Sequence, residues 1–203
     1  MSEFVFPMLY AAPISYYALW VNSLGEIDQH ENFQKQTFRN RCRVLGANGI
    51  IALSIPVTLP NPKNIVTQVQ ISNQEPWQRN HWRTLESAYK SSPFFEFYSH
   101  IIEPLYQYQY DSLWRFNLAF HKAILSCMQL EIDTKFTTEF RPIIKNDPRV
   151  VFSSKKAHPS SMSFPVYQQV FSYEKPFEHD LSILDTIFNL GPETENYLRN
   201  LDL

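Results

Sequence analysis

Three arginines alternate along Arg39-Asn40-Arg41-Cys42-Arg43, a spacing suited to holding an anion. The guanidinium is a planar fork of N–H donors that fits phosphate or carboxylate, and it stays charged at any physiological pH. Successive side chains of a strand point to opposite faces, so a strand here sets Arg39, Arg41 and Arg43 on one face and Phe38, Asn40, Cys42 and Val44 on the other. The flanking sequence supplies that strand. Two runs rich in β-branched and apolar residues, 38–45 and 50–57, surround Gly46-Ala47-Asn48-Gly49, the signature of a hairpin. Its register sets Ala52, Ser54 and Pro56 opposite the arginine face and Ile51, Leu53 and Ile55 opposite the other. Like charges stacked on one face repel unless an anion sits among them. The alternatives are a solvated edge, or ion pairs to Glu26, Asp28 or Glu31. Lys35 lies just before the run and extends it; Asn40, on the apolar side, needs hydrogen-bond partners.

Groups able to move a proton are sparse. His81 falls on a helical stripe with Trp77, Leu85 and Ala88, so it is either a satisfied core histidine or a site residue. His121 has the same character. Asp185 interrupts an apolar helical run, and a buried carboxylate must be paired, for which an arginine is the expected partner. Asp28, His30 and Glu31 have metal-ligating side chains, but adjacent positions on irregular chain converge poorly, so no metal site is expected. Lys155 and Lys156, inside a long proline- and serine-rich stretch over 141–165, are either a lid over an anion or plain surface. The Tyr106, Tyr108, Tyr110 and 94–97 aromatics read as core, since no basic groove accompanies them.

Glycine usage excludes much. Only Gly25, Gly46, Gly49 and Gly191 occur in 203 residues, and neither a dinucleotide fingerprint nor a phosphate loop can be written with them. The HExxH, GxSxG and CxxC signatures are absent too. No cofactor is called for. A net charge of −2 argues against nucleic acid as a partner. No apolar run approaches the ~20 residues of a membrane span. Cys42 and Cys127 have no metal-type spacing and no leader sequence is legible, which together predict a reduced, cytoplasmic setting.

These residues need a scaffold, and one domain over 1–203 is expected from the length and the lack of a linker. The pattern predicts a strand over 3–9, a helix over 13–20, a short strand over 26–28, the hairpin, and a strand over 65–71. Helices follow over 77–88, 94–105 and 112–130. The last is buried on two sides, through Trp114, Leu118, His121, Leu125 and Met128, and through Leu113, Phe116, Phe120, Ile124 and Cys127. A strand over 135–140, the loop 141–165, and helices over 182–189 and 193–201 complete the chain. The fold class is α/β: a mixed sheet with an antiparallel hairpin and helices packed on it. Its opening strand, turn and helix resemble nucleotidylyltransferase-like Rossmann folds, a fold-level analogy that lacks their two-histidine signature.

Longer stretches carry a family resemblance. Tyr10-Ala-Ala-Pro-Ile-Ser-Tyr-Tyr17, Phe33-Gln-Lys-Gln-Thr-Phe-Arg-Asn-Arg-Cys-Arg-Val44 and Leu53-Ser-Ile-Pro-Val57 are similar to the WbqC-like family. So are Trp77 to His81, Tyr89 with Ser92-Pro93-Phe94-Phe95, Leu181-Ser-Ile-Leu-Asp185 and Phe188-Asn-Leu-Gly191. The resemblance implies a bacterial protein of O-antigen or other surface-polysaccharide biosynthesis, with a transferase acting on an activated sugar or acyl substrate. By position it marks Lys35, Asn40, Arg41, Arg43, His81, Tyr89 and Asp185 as motif residues. Many members open with His-Gln-Pro-Asn-Tyr where this chain has Phe6-Pro7-Met8-Leu9-Tyr10, so an acid–base histidine there is missing. The expected function is therefore a transferase that binds an anionic or sugar small molecule on Lys35, Arg39, Asn40, Arg41, Arg43 and Tyr89, with His81 or Asp185 moving a proton. The alternative is a non-catalytic module that recognises an anionic ligand or a partner protein on the same face.

Overall fold

The hairpin forms as the turn chemistry dictates. In a computed structural model describing residues 4–23, 25–59, 64–153 and 162–202, strands β3 (Arg41–Gly46) and β4 (Gly49–Ser54) pair antiparallel, with Arg41 opposite Ser54, Arg43 opposite Ala52 and Gly46 opposite Gly49. Gly49 carries φ +113°, the left-handed geometry that such a tight connection requires. Before it, β1 (Phe4–Pro7), helix α1 (Ile14–Asn22) and β2 (Gly25–Asp28) make a parallel β–α–β unit. Seven of the nine α1 residues are buried, Tyr16, Tyr17 and Trp20 among them, so its aromatic side chains anchor the unit on several sides.

The protein is mixed α/β, with small sheets and several helices, and the expected single mixed sheet is divided. Among the described residues there are three two-stranded sheets, the third pairing β5 (Val57–Thr58) with β6 (Gln70–Ile71) antiparallel. Proline explains part of the division. Pro7 ends β1, and Pro56 stands between β4 and β5, where a residue without an N–H cannot carry a ladder onward. The strand expected over 65–71 shrinks to β6, preceded by a 3₁₀ turn (Val66–Gln68). The one expected over 135–140 reduces to a parallel bridge between Ile27 and Phe136. The doubly wound sheet of a Rossmann fold is not formed among the described residues. Pro60 and Pro62, expected to close the hairpin, lie outside them.

The helices follow their apolar stripes closely. In α2 (Trp77–Tyr89), Trp77, His81, Leu85 and Ala88 are buried as predicted. In α4 (Leu113–Cys127), capped by the Ser112 hydroxyl, the whole Phe116 stripe is buried. Of the other stripe His121, Leu125 and Met128 are buried, while Trp114 and Leu118 are half-covered. Between them α3 (Phe95–Gln107) accommodates Pro104 in its last turns. The 141–165 stretch is not one loop: Asp147 caps a short helix α5 (Pro148–Val151), and Phe152 behind it is fully buried. Asp147, Pro148, Arg149 and Phe152 of that part are buried, whereas residues 142–146 and Val150 are exposed. Lys155 and Lys156 lie outside the described residues.

The C-terminal helices α6 (Ile183–Leu190) and α7 (Thr194–Arg199) close the fold. Gly191 ends α6 at φ +55°, ψ −123°, and a Cβ there would lie 2.5 Å from the Phe94 ring. Ahead of α6, Ser182 bridges Pro13 antiparallel, donates its N–H to the Arg43 carbonyl at 2.8 Å and its hydroxyl to the Ala11 carbonyl at 2.8 Å. One short segment thereby ties the N-terminal unit to the hairpin.

Candidate functional site

The outer face of β3 carries Arg41 and Arg43, both half-buried, beside small exposed Ala52 and Ser54 on β4. Arg41, Arg43 and Ala52 line a hollow of about 180 Å³ together with Gln36, Thr37, Phe38 and Cys42. Arg43 lies 5.5 Å from the centre of the Phe38 ring and donates to the Asp180 carbonyl at 3.1 Å. The Asp180 carboxylate accepts from the Ser15 N–H at 2.9 Å. The Nε atoms of both Arg41 and Arg43 are buried and meet no hydrogen-bond partner. A buried donor left unmade costs about 1–3 kcal/mol, and the two residues that carry these donors line one hollow.

Arg39 does not join this face. Residues 38–40 are a turn rather than strand, and the Asn40 N–H bonds the Thr37 carbonyl at 3.3 Å. Strand alternation therefore does not reach back to Arg39. Its side chain is fully buried and forks onto Glu31, with Nε to Oε1 at 2.9 Å and Nη2 to Oε2. Burial pushes the Glu31 carboxyl above its usual range, and Arg39 partly offsets that rise. The expected three-arginine face is thus a pair, and the third guanidinium is an internal ion-pair partner, one of the alternatives the sequence left open.

Asn40 is buried and continues the hairpin. Its carbonyl accepts from the Ile55 N–H at 2.8 Å, and its side-chain amide donates to the Ile55 carbonyl at 2.9 Å. Lys35 is exposed on the turn before Thr37.

His81, Tyr89 and Asp185 lie on the other side of the hairpin, under Cys42 and Val44. The Tyr10 hydroxyl bridges His81 Nδ1 at 2.9 Å and the Tyr106 hydroxyl at 2.7 Å. The donors and acceptors in this chain of bonds follow the tautomer of the His81 ring. Burial holds His81 down to about 4, with Ser54 offsetting a little. It is a neutral core imidazole.

Asp185 is fully enclosed. Its Oδ2 accepts from the Tyr167 hydroxyl at 2.6 Å and from Gln169 Nε2 at 3.0 Å, so two neutral donors stand where an arginine was expected. The Tyr89 hydroxyl lies beside the same carboxylate but without hydrogen-bond geometry, and its ring packs 5.2 Å from Phe188. Burial raises the Asp185 carboxyl, opposed by the Tyr167 and Gln169 bonds. Cys42 and Cys127 are buried free thiols, each pushed up to about 12 by desolvation; both behave as small apolar side chains.

A second ionic group went unread in the sequence. Arg149 donates Nη1 to Asp28 at 2.6 Å and grips Asp147 through Nε at 2.9 Å and Nη2 at 2.6 Å, and its carbonyl accepts from Arg39 at 3.4 Å. Burial works against the Asp147 charge, but the Arg149 bonds more than offset it and hold the carboxyl below its usual range. Asp28 and Glu31 are consumed by this network. Among the described residues no group of three His, Cys, Asp or Glu side chains is arranged around a metal position, and no helix is long and apolar enough to cross a membrane.

Phe6, at the position the resemblance compares with a histidine, is fully buried in the core with Met8, Leu9 and Tyr10, and the Tyr10 hydroxyl bonds His81. No solved structure matches the chain. It is similar to the uncharacterized protein Rv1507c of Mycobacterium tuberculosis, 24% identical over 195 residues covering 82% of this chain and 84% of that protein. The WbqC-like protein family matches residues 27–159, a span that includes the hairpin, His81, Tyr89 and the Arg149 network but stops before Asp185. With that match over more than half of its length, and with motif residues on both sides of one hairpin, the chain belongs to the WbqC-like protein family.

Proposed function

We propose that this protein recognises a phosphate- or carboxylate-bearing small molecule, an activated sugar or acyl compound of bacterial surface-polysaccharide biosynthesis, on the outer face of β3. The observation that carries the reading is the pair of buried, unpartnered Nε donors of Arg41 and Arg43 at one hollow. An oxyanion there satisfies both with charge-assisted bonds. The surface-polysaccharide setting comes from the family resemblance, and the reduced thiols accord with action in the cytoplasm. Recognition has more support than group transfer. A transferase reading assigns the proton to His81 or Asp185, and both are enclosed on the core side of the hairpin.

Replacing Arg41 by Ala is expected to weaken anion binding by about 1.5–3 kcal/mol, the scale of one hydrogen bond to a charged group. Lysine restores only part, being a point charge without the fork. Apo stability changes little, because Arg41 holds no ion pair among the described residues. The measurement is ligand-induced thermal shift for wild type, Arg41→Ala and Arg41→Lys, with inorganic phosphate, a nucleotide sugar and an acyl-CoA as probes. Equal shifts in wild type and Arg41→Ala would exclude this face as the site.

A further inference from the structure

Sugar and acyl ligands make opposite demands on a pocket, and the walls of this hollow choose between them. Beside the two arginines the lining includes Phe38, Ala52 and Thr37, while the Cys42 side chain belongs to the core. The Thr37 hydroxyl is already used: it donates to the Gln34 carbonyl at 2.8 Å and accepts from the Arg39 backbone N–H at 3.4 Å. Gln36, held at φ +62°, is the remaining uncharged polar side chain, and it is exposed at the rim. A saccharide brings a hydroxyl on almost every carbon, and each one buried without a partner is penalised. An apolar or flat group meets no such penalty. The apolar surface also continues outward: Ile50 shares the face of Ala52 and Ser54 and is 46% exposed.

Building on the anion-binding reading above, we infer that the ligand is an amphipathic anion, whose carboxylate or phosphate sits on Arg41 and Arg43 while an acyl or aryl group fills the hollow against Phe38 and Ala52. The 180 Å³ available equals roughly six waters at their liquid volume, room for a short acyl chain or one ring. A longer chain leaves the hollow along Ala52 toward Ile50.

The test uses the full chain and two probe series, followed by ligand-observed NMR titration: acetate, butyrate and hexanoate, then inorganic phosphate against phenyl phosphate. Binding should strengthen up to roughly four-fold per methylene, the burial increment for one CH₂, and phenyl phosphate should bind at least about ten-fold more tightly than phosphate. Ala52→Leu, which fills the hollow from an exposed strand position, should collapse the phenyl phosphate to phosphate ratio toward one. Arg41→Ala should weaken both phosphates and leave their ratio intact. Unfolding midpoints of the variants verify that each is folded. A flat series in the wild type, with binding still dependent on Arg41, overturns the amphipathic ligand and leaves the anion site standing. Binding that ignores Arg41, or no binding of any probe, removes the anion site and this inference together.

Discussion

Glu31→Gln is expected to cost about 3–5 kcal/mol, because removing one partner of a buried ion pair strands the other charge without water. Arg39 is 0% exposed, and its fork has no second acid within reach among its bonds: the remaining contacts are the Thr37 hydroxyl and the Arg149 carbonyl, both at 3.4 Å. Glutamine keeps the shape and one acceptor but loses the charge. In a chain of this size the loss corresponds to roughly 6–20 °C in Tm. Replacing both partners by apolar residues, Arg39→Met with Glu31→Leu, should recover most of it, since a well-packed apolar pair avoids desolvating two charges. Urea unfolding of the three proteins decides the matter. A single-variant cost below about 1 kcal/mol, the value of a surface pair, would mean that the bridge is solvated. Set beside the mild effect expected of Arg41→Ala, the experiment separates two arginines that differ by two positions in sequence and belong to different parts of the molecule.

Mild acid should destabilise the fold through its two core histidines. Burial holds His81 and His121 each to about 4, whereas an unfolded histidine titrates near 6.5. The folded state favours the neutral ring, so the contribution is whole above pH ~6.5 and is lost as pH falls toward the folded value. Between pH 7 and pH 5 that amounts to about 2 kcal/mol per histidine. His121 shows the cause in atoms. Its Nδ1 meets the Tyr17 hydroxyl at 3.1 Å, the Trp20 ring stands edge-on at 5.1 Å, and its Nε2 is buried with no partner. An imidazolium would need acceptors at both nitrogens. Glu31 and Asp185 act in the opposite sense: their folded-state values are raised, so they favour folding at low pH and lose that contribution as pH rises through those values. The histidine contribution is therefore read as a difference, from denaturant midpoints at pH 7 and pH 5 in wild type and His121→Gln. The variant should lose about 2 kcal/mol less on acidification; an identical pH response in both would refute the assignment.

Local rules were legible where the chain is locally determined. The Ala47-Asn48 turn set the register of Arg41 against Ser54 and Arg43 against Ala52, and helical periodicity found the buried stripes of α2 and α4. Alternation misled at Arg39, because it holds only in extended chain and the backbone turns over 38–40. It misled again at Ile51, which is 37% exposed although its cross-strand partner Val44 is fully buried. Arg149 was invisible for another reason. Its acids are Asp147, two residues away, and Asp28, 121 positions away, and no short-range pattern encodes the second. Asp185 was rightly read as buried, but Tyr167 and Gln169 come from a stretch of irregular chain, where composition gives no hint of what a side chain will meet.

The tie at Ser182 bears on how the polypeptide is made. Ile14 bonds the Leu181 carbonyl, Ile183 bonds the Ala12 carbonyl, and Ser182 holds the Arg43 carbonyl, so three backbone bonds join residues 139 to 171 positions apart. On the ribosome these partners cannot meet until the segment around 180–183 has left the exit tunnel, well after the N-terminal unit and the hairpin. Loop-closure entropy delays such pairings further. Until then the Arg43 carbonyl and the start of α1 lack their bonds, and the surface that α6 will cover stays open to other chains. A shortened chain ending at residue 159, the limit of the family match, would keep every arginine discussed here and still lack the piece that fastens β3 to the N-terminal unit.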